Sequence, residues 1–193
     1  MIKKSVKAKI KEFFLKNPTI KLRVRQIERE VKVPLPGVIR YVKELEEEGI
    51  LKSLEIANIK VYMANRVSEK YLLEKKLFNV KELYEVGLIE NMVKEFSNPT
   101  IVVFGSYSRG EDVEKSDIDI YIESVSKKRI KFEKFEKKLE RKIQIFVYRD
   151  ISKIKNKNLA NNIINGILLN GFVEVFKWIG KVHGKSVFWV MLQ

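Results

Sequence analysis

One segment constrains the fold of this chain more than any other. It runs from Ile101 to Ile122 and reads IVVFGSYSRGEDVEKSDIDIYI. The opening IVVF is fully apolar, which is typical of a strand buried on both faces. The closing DIDIYI has isoleucine at every second position, a pattern that predicts a second strand with Asp117 and Asp119 on the face opposite the isoleucines. The segment therefore predicts two strands joined by a glycine-containing turn, with two acids near that turn.

The turn between these strands has the composition of an anion site. Gly105 and Gly110 allow tight backbone turns and close approach of a ligand. Ser106 offers a hydroxyl, and Arg109 offers a fixed cation that can pair with phosphate or hold its own loop. A lone pair of acids at this spacing is more simply a solvated strand edge, but the turn ahead of it favours a nucleotide site.

The segment resembles the minimal nucleotidyltransferases of the DNA polymerase β superfamily. The resemblance rests on the apolar strand, G-S, R-G and S-D-I-D-I, and it covers residues 84–150. It implies that Asp117 and Asp119 bind Mg²⁺ or Mn²⁺, hard cations that suit carboxylate oxygens and substrate phosphates. It also implies that a nucleoside triphosphate is held by Gly105, Ser106, Arg109 and Gly110.

The third carboxylate of that family has no counterpart here. The matching segment is ERKIQIFV, in which Gln144 stands where the family has aspartate. Glutamine keeps a carbonyl oxygen, but it cannot accept a proton from an attacking hydroxyl. Glu123 and Glu140 are weak replacements because of their positions along the strand and near a helix end. We therefore expect a triphosphate–Mg²⁺ site whose transfer of a nucleoside monophosphate to a protein, nucleic-acid or small-molecule hydroxyl is reduced or absent.

The first third of the chain predicts a second, smaller unit. Three helical patterns, over residues 3–16, 23–31 and 36–48, are followed by a two-stranded hairpin. This order resembles the winged helix-turn-helix domain over residues 1–66 and implies DNA contacts from Arg40 and Lys43 on the third helix and from Lys60 on the hairpin. The acidic end of the third helix, ELEEEG, opposes such contacts, and many domains of this kind bind proteins or brace a neighbour instead.

The charge of the chain favours a polyanionic partner. The formal net charge is +14, and residues 1–66 hold 16 basic and eight acidic residues. Nucleic acid and phosphate-bearing ligands are natural partners for such a surface, although lysine-rich surfaces also serve solubility alone. The rival to the transferase is therefore a DNA-binding regulator whose transferase fold only senses nucleotide.

Helices alternate with strands after residue 84, which predicts an α/β (α+β) protein with a small mixed sheet. The predicted divisions are residues 1–66, a connecting helix over 67–83, and residues 84–193 with a mostly helical tail from Ser152 to Trp178. The aromatic residues of the tail are interpreted as core, His183 as a surface residue, and the apolar end SVFWVMLQ as a strand, a partner surface or an exposed segment. No cysteine and no apolar run of membrane-spanning length is present, so a cytoplasmic protein is expected. The family resemblance adds a HEPN-type protein partner, and a homodimer stays open.

Overall fold

A computed structural model describes residues 5–126 and 131–175. The predictions for Trp178, His183, Trp189 and the apolar C-terminal end lie outside these residues. In the described part, helices and strands both occur, and the strands form one hairpin and one four-stranded sheet. The predicted α+β class is therefore confirmed.

The N-terminal unit, defined here as residues 5–66, has three helices followed by a hairpin, in the order that the sequence predicts. Its elements are α1 (Val6–Lys16), α2 (Val24–Val31), α3 (Leu35–Glu47), β1 (Leu51–Ile56) and β2 (Ile59–Ala64). The hydroxyl of Ser5 caps α1 by accepting a hydrogen bond from the amide of Ala8. The apolar stripes of the three helices meet in one core, which includes Ile10, Phe14, Val38, Val42 and Leu45.

A long helix connects this unit to the rest of the chain. It is α4 (Glu69–Glu85), and it is followed by α5 (Leu88–Glu95). Tyr71 of α4 packs in the core of the N-terminal unit, whereas Leu83 packs in the core beneath the four-stranded sheet. Lys11 and Lys16 of α1 also make ion pairs with acids of α4. The connecting helix thus contributes to both cores.

The four-stranded sheet is small and mixed. The elements that follow α5 are β3 (Thr100–Phe104), α6 (Gly105–Arg109), β4 (Ile118–Glu123), α7 (Glu133–Leu139), β5 (Ile143–Tyr148), a 3-10 helix (Ile151–Lys153), α8 (Lys157–Ile164) and β6 (Ile167–Asn170). The strand order in the sheet is β5-β4-β3-β6. Strand β3 pairs antiparallel with both of its neighbours, whereas β4 and β5 are parallel.

The two faces of the sheet are covered by different elements. The isoleucines of β4 lie in a core that also contains side chains of α5 and α7. Tyr121 of β4 lies on the opposite face, in a core that includes Val102, Ile151 and Ile163. Because side chains alternate along a strand, Asp119 belongs to the face of Tyr121. The sequence-based orientation of Ile118 and Ile120 into the core is confirmed, since both are fully buried.

Three local predictions differ from the structure. Phe172, one of the tail aromatics interpreted as core, is 72% exposed, so that interpretation was wrong for this residue. The prediction of a mostly helical tail from Ser152 was wrong for Ile167–Asn170, which forms strand β6. Pairing with β6 satisfies the free edge of β3, and Gly166 makes this approach feasible because a Cβ there would lie 2.6 Å from the Val103 carbonyl oxygen. The segment after β3, for which the sequence predicts a turn, forms the short helix α6.

Candidate nucleotide site

Asp119 lies beside Gln144, the residue that stands where the family resemblance implies an aspartate. In the parallel pairing of β4 with β5, Asp119 is in register with Gln144, and on its other side it is in register with Phe104, the last residue of β3. Residues in register on neighbouring strands direct their side chains to the same face. The structure therefore brings the amide of Gln144 to the flank of the Asp119 carboxylate.

Position 105 requires glycine because its backbone lies close to the Asp119 carboxylate. Its φ of +73° lies in the left-handed region, and a Cβ at this position would lie 2.6 Å from Oδ2 of Asp119. Real contacts of a Cβ are longer than this, so any larger residue would displace the acid or the backbone. Glycine thus allows the start of α6 to lie directly against Asp119, which joins the predicted phosphate turn and the predicted metal ligand in one place.

Asp117 and Asp119 repel each other in the structure. Asp117 is exposed and precedes the first residue of β4, whereas Asp119 is partly buried. Burial raises the pKa of Asp119, and the neighbouring charge of Asp117 raises this pKa further. Neither carboxylate has a hydrogen bond or ion pair with residues 5–126 or 131–175. A cation bound between these two unpartnered acids would favour the charged form of Asp119.

The other predicted phosphate ligands have different surroundings. Ser106 follows Gly105 on α6, and its hydroxyl makes no hydrogen bond within the described residues. Arg109 is about half exposed, and its Nε lies 2.7 Å from Oε2 of Glu111. This ion pair fits the alternative in which Arg109 holds its own loop. At Gly110 (φ +73°), a Cβ would lie 2.6 Å from the carbonyl oxygen of Leu72, so this glycine permits close packing against α4.

Glu123 and Glu140, the acids considered as substitutes for the missing third carboxylate, lie away from Gln144. Glu123 is four residues beyond Asp119, about 13 Å along the strand, and accepts a hydrogen bond from the hydroxyl of Tyr121. Glu140 ends α7 with a φ of 55° and is exposed. Within the described ranges, no group of three or more Asp, Glu, His or Cys side chains is placed to hold a metal. Asp117, Asp119 and Gln144 together supply two negative charges, one fewer than a set of three carboxylates would.

A buried charged cluster, which the sequence did not predict, supports the loop between α6 and β4. The carboxylate of Asp112 lies 2.8 Å from Nζ of Lys75 and 3.1 Å from Nη2 of Arg141. Asn79 donates a hydrogen bond of 2.6 Å to the same carboxylate and another of 2.9 Å to the carbonyl of Tyr107. The side chains of Lys75 and Asp112 are at most 1% exposed. Burial lowers the pKa of Lys75, and the charge of Asp112 opposes that shift.

Arg141 connects this cluster to the candidate site. Its guanidinium donates hydrogen bonds to the carbonyl oxygens of Val113 and Ser116, the second of which directly precedes Asp117. Arg141 itself lies three residues before Gln144, just ahead of β5. The cluster therefore ties the chain leading into β4 to the chain leading into β5, which are the two segments that carry the candidate ligands.

The same loop also contacts the N-terminal unit. Glu114 accepts hydrogen bonds from the amide and hydroxyl of Thr19, at 2.9 and 3.0 Å. The guanidinium of Arg66 donates to the carbonyl of Glu111 at 3.3 Å. The segment that precedes Asp117 is thus held by α4, by Arg141 just ahead of β5 and by the N-terminal unit.

One signal in the sequence could have revealed the cluster. The buried residues of α4 are Tyr71, Lys75, Asn79 and Leu83, which recur every four residues and share one face. Leu77, an apolar residue of the same helix, is by contrast 59% exposed. Two polar residues on the buried face of a helix indicate a buried polar partner, because such groups are costly to leave unpaired. That partner, Asp112, is remote in sequence.

The predicted DNA-contacting residues differ in how free their charges are. Arg40 makes an ion pair of 2.8 Å with Glu44 and lies over the ring of Tyr41. Lys60 makes a longer ion pair of 3.3 Å with Glu46. Lys43 is exposed on α3. Their role in DNA binding stays a prediction.

Comparison with known proteins addresses the C-terminal part of the chain. Residues 86–169 match the family model of the nucleotidyltransferase domain. This match supports assignment of these residues to the nucleotidyltransferase superfamily, and it includes Gly105, Asp117, Asp119 and Gln144. We refer to residues 86–169 below as the nucleotidyltransferase-like region.

The other comparisons add little. No curated protein matches the chain. The structure of a mutant of ZitR from Lactococcus lactis is 15% identical to the chain, with a TM-score of 0.36, and the likeness covers 50% of this chain and 67% of that one. A TM-score of this size supports no conclusion about fold or function. Within residues 5–126 and 131–175, no helix combines the length and apolarity that crossing a bilayer requires.

Proposed function

We propose that the nucleotidyltransferase-like region binds a nucleoside triphosphate with Mg²⁺ or Mn²⁺ and transfers a nucleoside monophosphate only weakly. The observation that carries this proposal is the register of Asp119 with Gln144. Asp117 and Asp119 would hold the ion, which would neutralise phosphate charge. The amide of Gln144 would lie beside them without adding a third negative charge.

The reaction of this superfamily explains why that difference matters. An acceptor hydroxyl oxygen forms a bond to the α-phosphorus, the bond from that phosphorus to the β-phosphate oxygen breaks, and pyrophosphate leaves. The hydroxyl proton must pass to a base. The amide of Gln144 cannot accept this proton. Glu123 lies about 13 Å along the strand from Asp119 and already accepts a hydrogen bond from the Tyr121 hydroxyl. A loss of about 4 kcal/mol of transition-state stabilisation slows a reaction roughly a thousandfold.

Restoring the carboxylate tests this proposal. The experiment incubates wild-type protein, Asp117→Ala and Gln144→Asp with α-labelled ATP and Mg²⁺ or Mn²⁺, and measures pyrophosphate release and label on the protein itself. We expect Gln144→Asp to release more pyrophosphate than wild type, and Asp117→Ala to release none above background because it cannot hold the ion. Strong transfer by the wild-type protein, abolished by Asp117→Ala and unchanged by Gln144→Asp, would contradict the proposal of weak activity.

A second candidate is a DNA-binding regulator in which the nucleotidyltransferase-like region senses nucleotide. It is favoured by Gln144 and by the excess of basic residues in the N-terminal unit. The contacts of Thr19 and Arg66 with the loop ahead of Asp117 provide a physical route between the two parts. A HEPN-type partner and a homodimer stay predictions. Salt-dependent DNA binding without nucleotide transfer would support this candidate.

A further inference from the structure

The basic residues of the N-terminal unit differ in whether acids neutralise them. Lys7 of α1 makes ion pairs with Glu44 of α3 and with Glu48, which follows this helix. Arg40 of α3 also makes an ion pair with Glu44. The exposed surface of α3 therefore carries acids as well as bases. A polyanion approaching α3 would meet Arg40 already paired with Glu44, with Lys43 as an exposed cation beside these acids.

Helix α2 has the opposite arrangement. Arg23 precedes its first residue, and Arg25 and Arg29 lie one helical turn apart on its surface; all three are exposed. None of these guanidinium groups makes an ion pair with an acid of residues 5–126 or 131–175. The acids of α2, Glu28 and Glu30, do not line the space that the arginines border.

That space is an open cleft of about 500 Å³ between α2 and the hairpin. It is lined by Arg23, Val24, Arg25, Gln26, Arg29 and Lys60. Lys60, from β2, faces the arginines across the cleft, and its ion pair with Glu46 is long, at 3.3 Å. We call the four basic side chains of this cleft the α2–hairpin cluster. Two separate elements therefore direct cations into one concave surface.

We propose that the α2–hairpin cluster binds the phosphate backbone of duplex DNA. A guanidinium presents several donors in a planar fork that matches phosphate oxygens. With a rise of 1.5 Å per residue, the cations from Arg23 to Arg29 extend over about 9 Å of helix axis. That length exceeds a single phosphate group and suits a backbone that carries a charge about every 3.4 Å along each strand.

This inference is independent of the nucleotide site and deepens the second candidate function, because it names the surface that would contact DNA. It also differs from the sequence-based expectation in placing the main contacts on α2 instead of α3. Lys60 is common to both. The binding described here is to the backbone and predicts affinity with little dependence on base sequence.

Charge-matched variants of the full chain test the proposal. Arg25→Gln with Arg29→Gln removes two charges from α2, and Arg40→Gln with Lys43→Gln removes two charges from α3. Fluorescence anisotropy with a labelled random-sequence duplex, at several salt concentrations, gives the slope of log K against log[salt]. We expect the α2 variant to weaken binding and to reduce the steepness of this slope by about 1.8, the value for two lost phosphate contacts. The α3 variant is expected to change the slope far less.

The controls separate the competing explanations. Equal losses in both variants would show that only net charge matters, and a larger loss in the α3 variant would overturn the choice of surface. If wild-type protein shows no salt-dependent duplex binding, the second candidate function fails together with this proposal. Tighter binding to single-stranded RNA of equal length, or to inorganic phosphate alone, would overturn duplex DNA as the ligand. Circular dichroism checks folding, and unchanged Mg²⁺-dependent ATP binding by the α2 variant shows that the nucleotide site is intact.

Discussion

The buried cluster around Asp112 gives a prediction whose size follows from the structure. Asp112→Asn keeps the shape of the side chain but removes the one negative charge that lies 2.8 Å from Lys75 and 3.1 Å from Arg141. Two buried cations would then face each other without compensation. Removing one partner of a buried ion pair costs about 3–5 kcal/mol. For a chain of this size, that loss corresponds to a decrease in melting temperature of roughly 6–20 °C.

The adjacent residue provides a matched control. Glu111→Gln also removes one negative charge, but its ion pair with Arg109 is about half exposed on both sides. Exposed pairs contribute about 0–1 kcal/mol, so this variant should stay close to wild type. Urea denaturation of both variants measures the difference, and Asp112→Asn with Lys75→Met should regain part of the loss because one stranded cation is gone. A cost below about 1 kcal/mol for Asp112→Asn would refute the reasoning, since buried pairs broken on one side cost several times more.

Three further variants test the packing and charges around the candidate site. Gly105→Ala should destabilise the protein by about 1–2 kcal/mol because of the left-handed backbone alone. It should also weaken triphosphate binding, because the alanine Cβ would press on Asp119, and unchanged binding would contradict this contact. Gly110→Ala should also lower stability in urea, because its Cβ would collide with the Leu72 carbonyl, but the folded variant should keep its nucleotide affinity. Asp119→Asn should raise the melting temperature at neutral pH without metal, because burial and Asp117 both disfavour the charge at this position. A lower melting temperature for Asp119→Asn would argue against charge strain at the site.

Local patterns in the sequence were sufficient to predict the strand that carries Asp119. The alternation of DIDIYI determines which side chains are buried, since a one-residue shift of register would move the isoleucines out of the core and the acids into it. The conformational freedom of glycine likewise marked the turn at Gly105. The structure adds the reason for that glycine, a carboxylate at a distance that no Cβ tolerates.

Features that depend on distant segments were not predictable in this way. Strand β6 was expected to be helical because ILLN suits either structure, and its pairing with β3 depends on tertiary context. The cluster of Lys75, Asp112 and Arg141 joins three segments that no sequence periodicity relates. Resemblance to a family pointed to Gln144, and the register of β5 with β4 shows that it flanks Asp119.

The most direct test of the central claim is isothermal titration calorimetry of ATP into the wild-type protein, with Mg²⁺ and with EDTA. If Asp117 and Asp119 hold an ion that carries triphosphate, saturable binding should appear only with Mg²⁺ and should vanish in the variant with both acids replaced by alanine. Binding that persists in EDTA, or that survives in the double variant, would contradict the account, as would the absence of Mg²⁺-dependent binding to any nucleoside triphosphate.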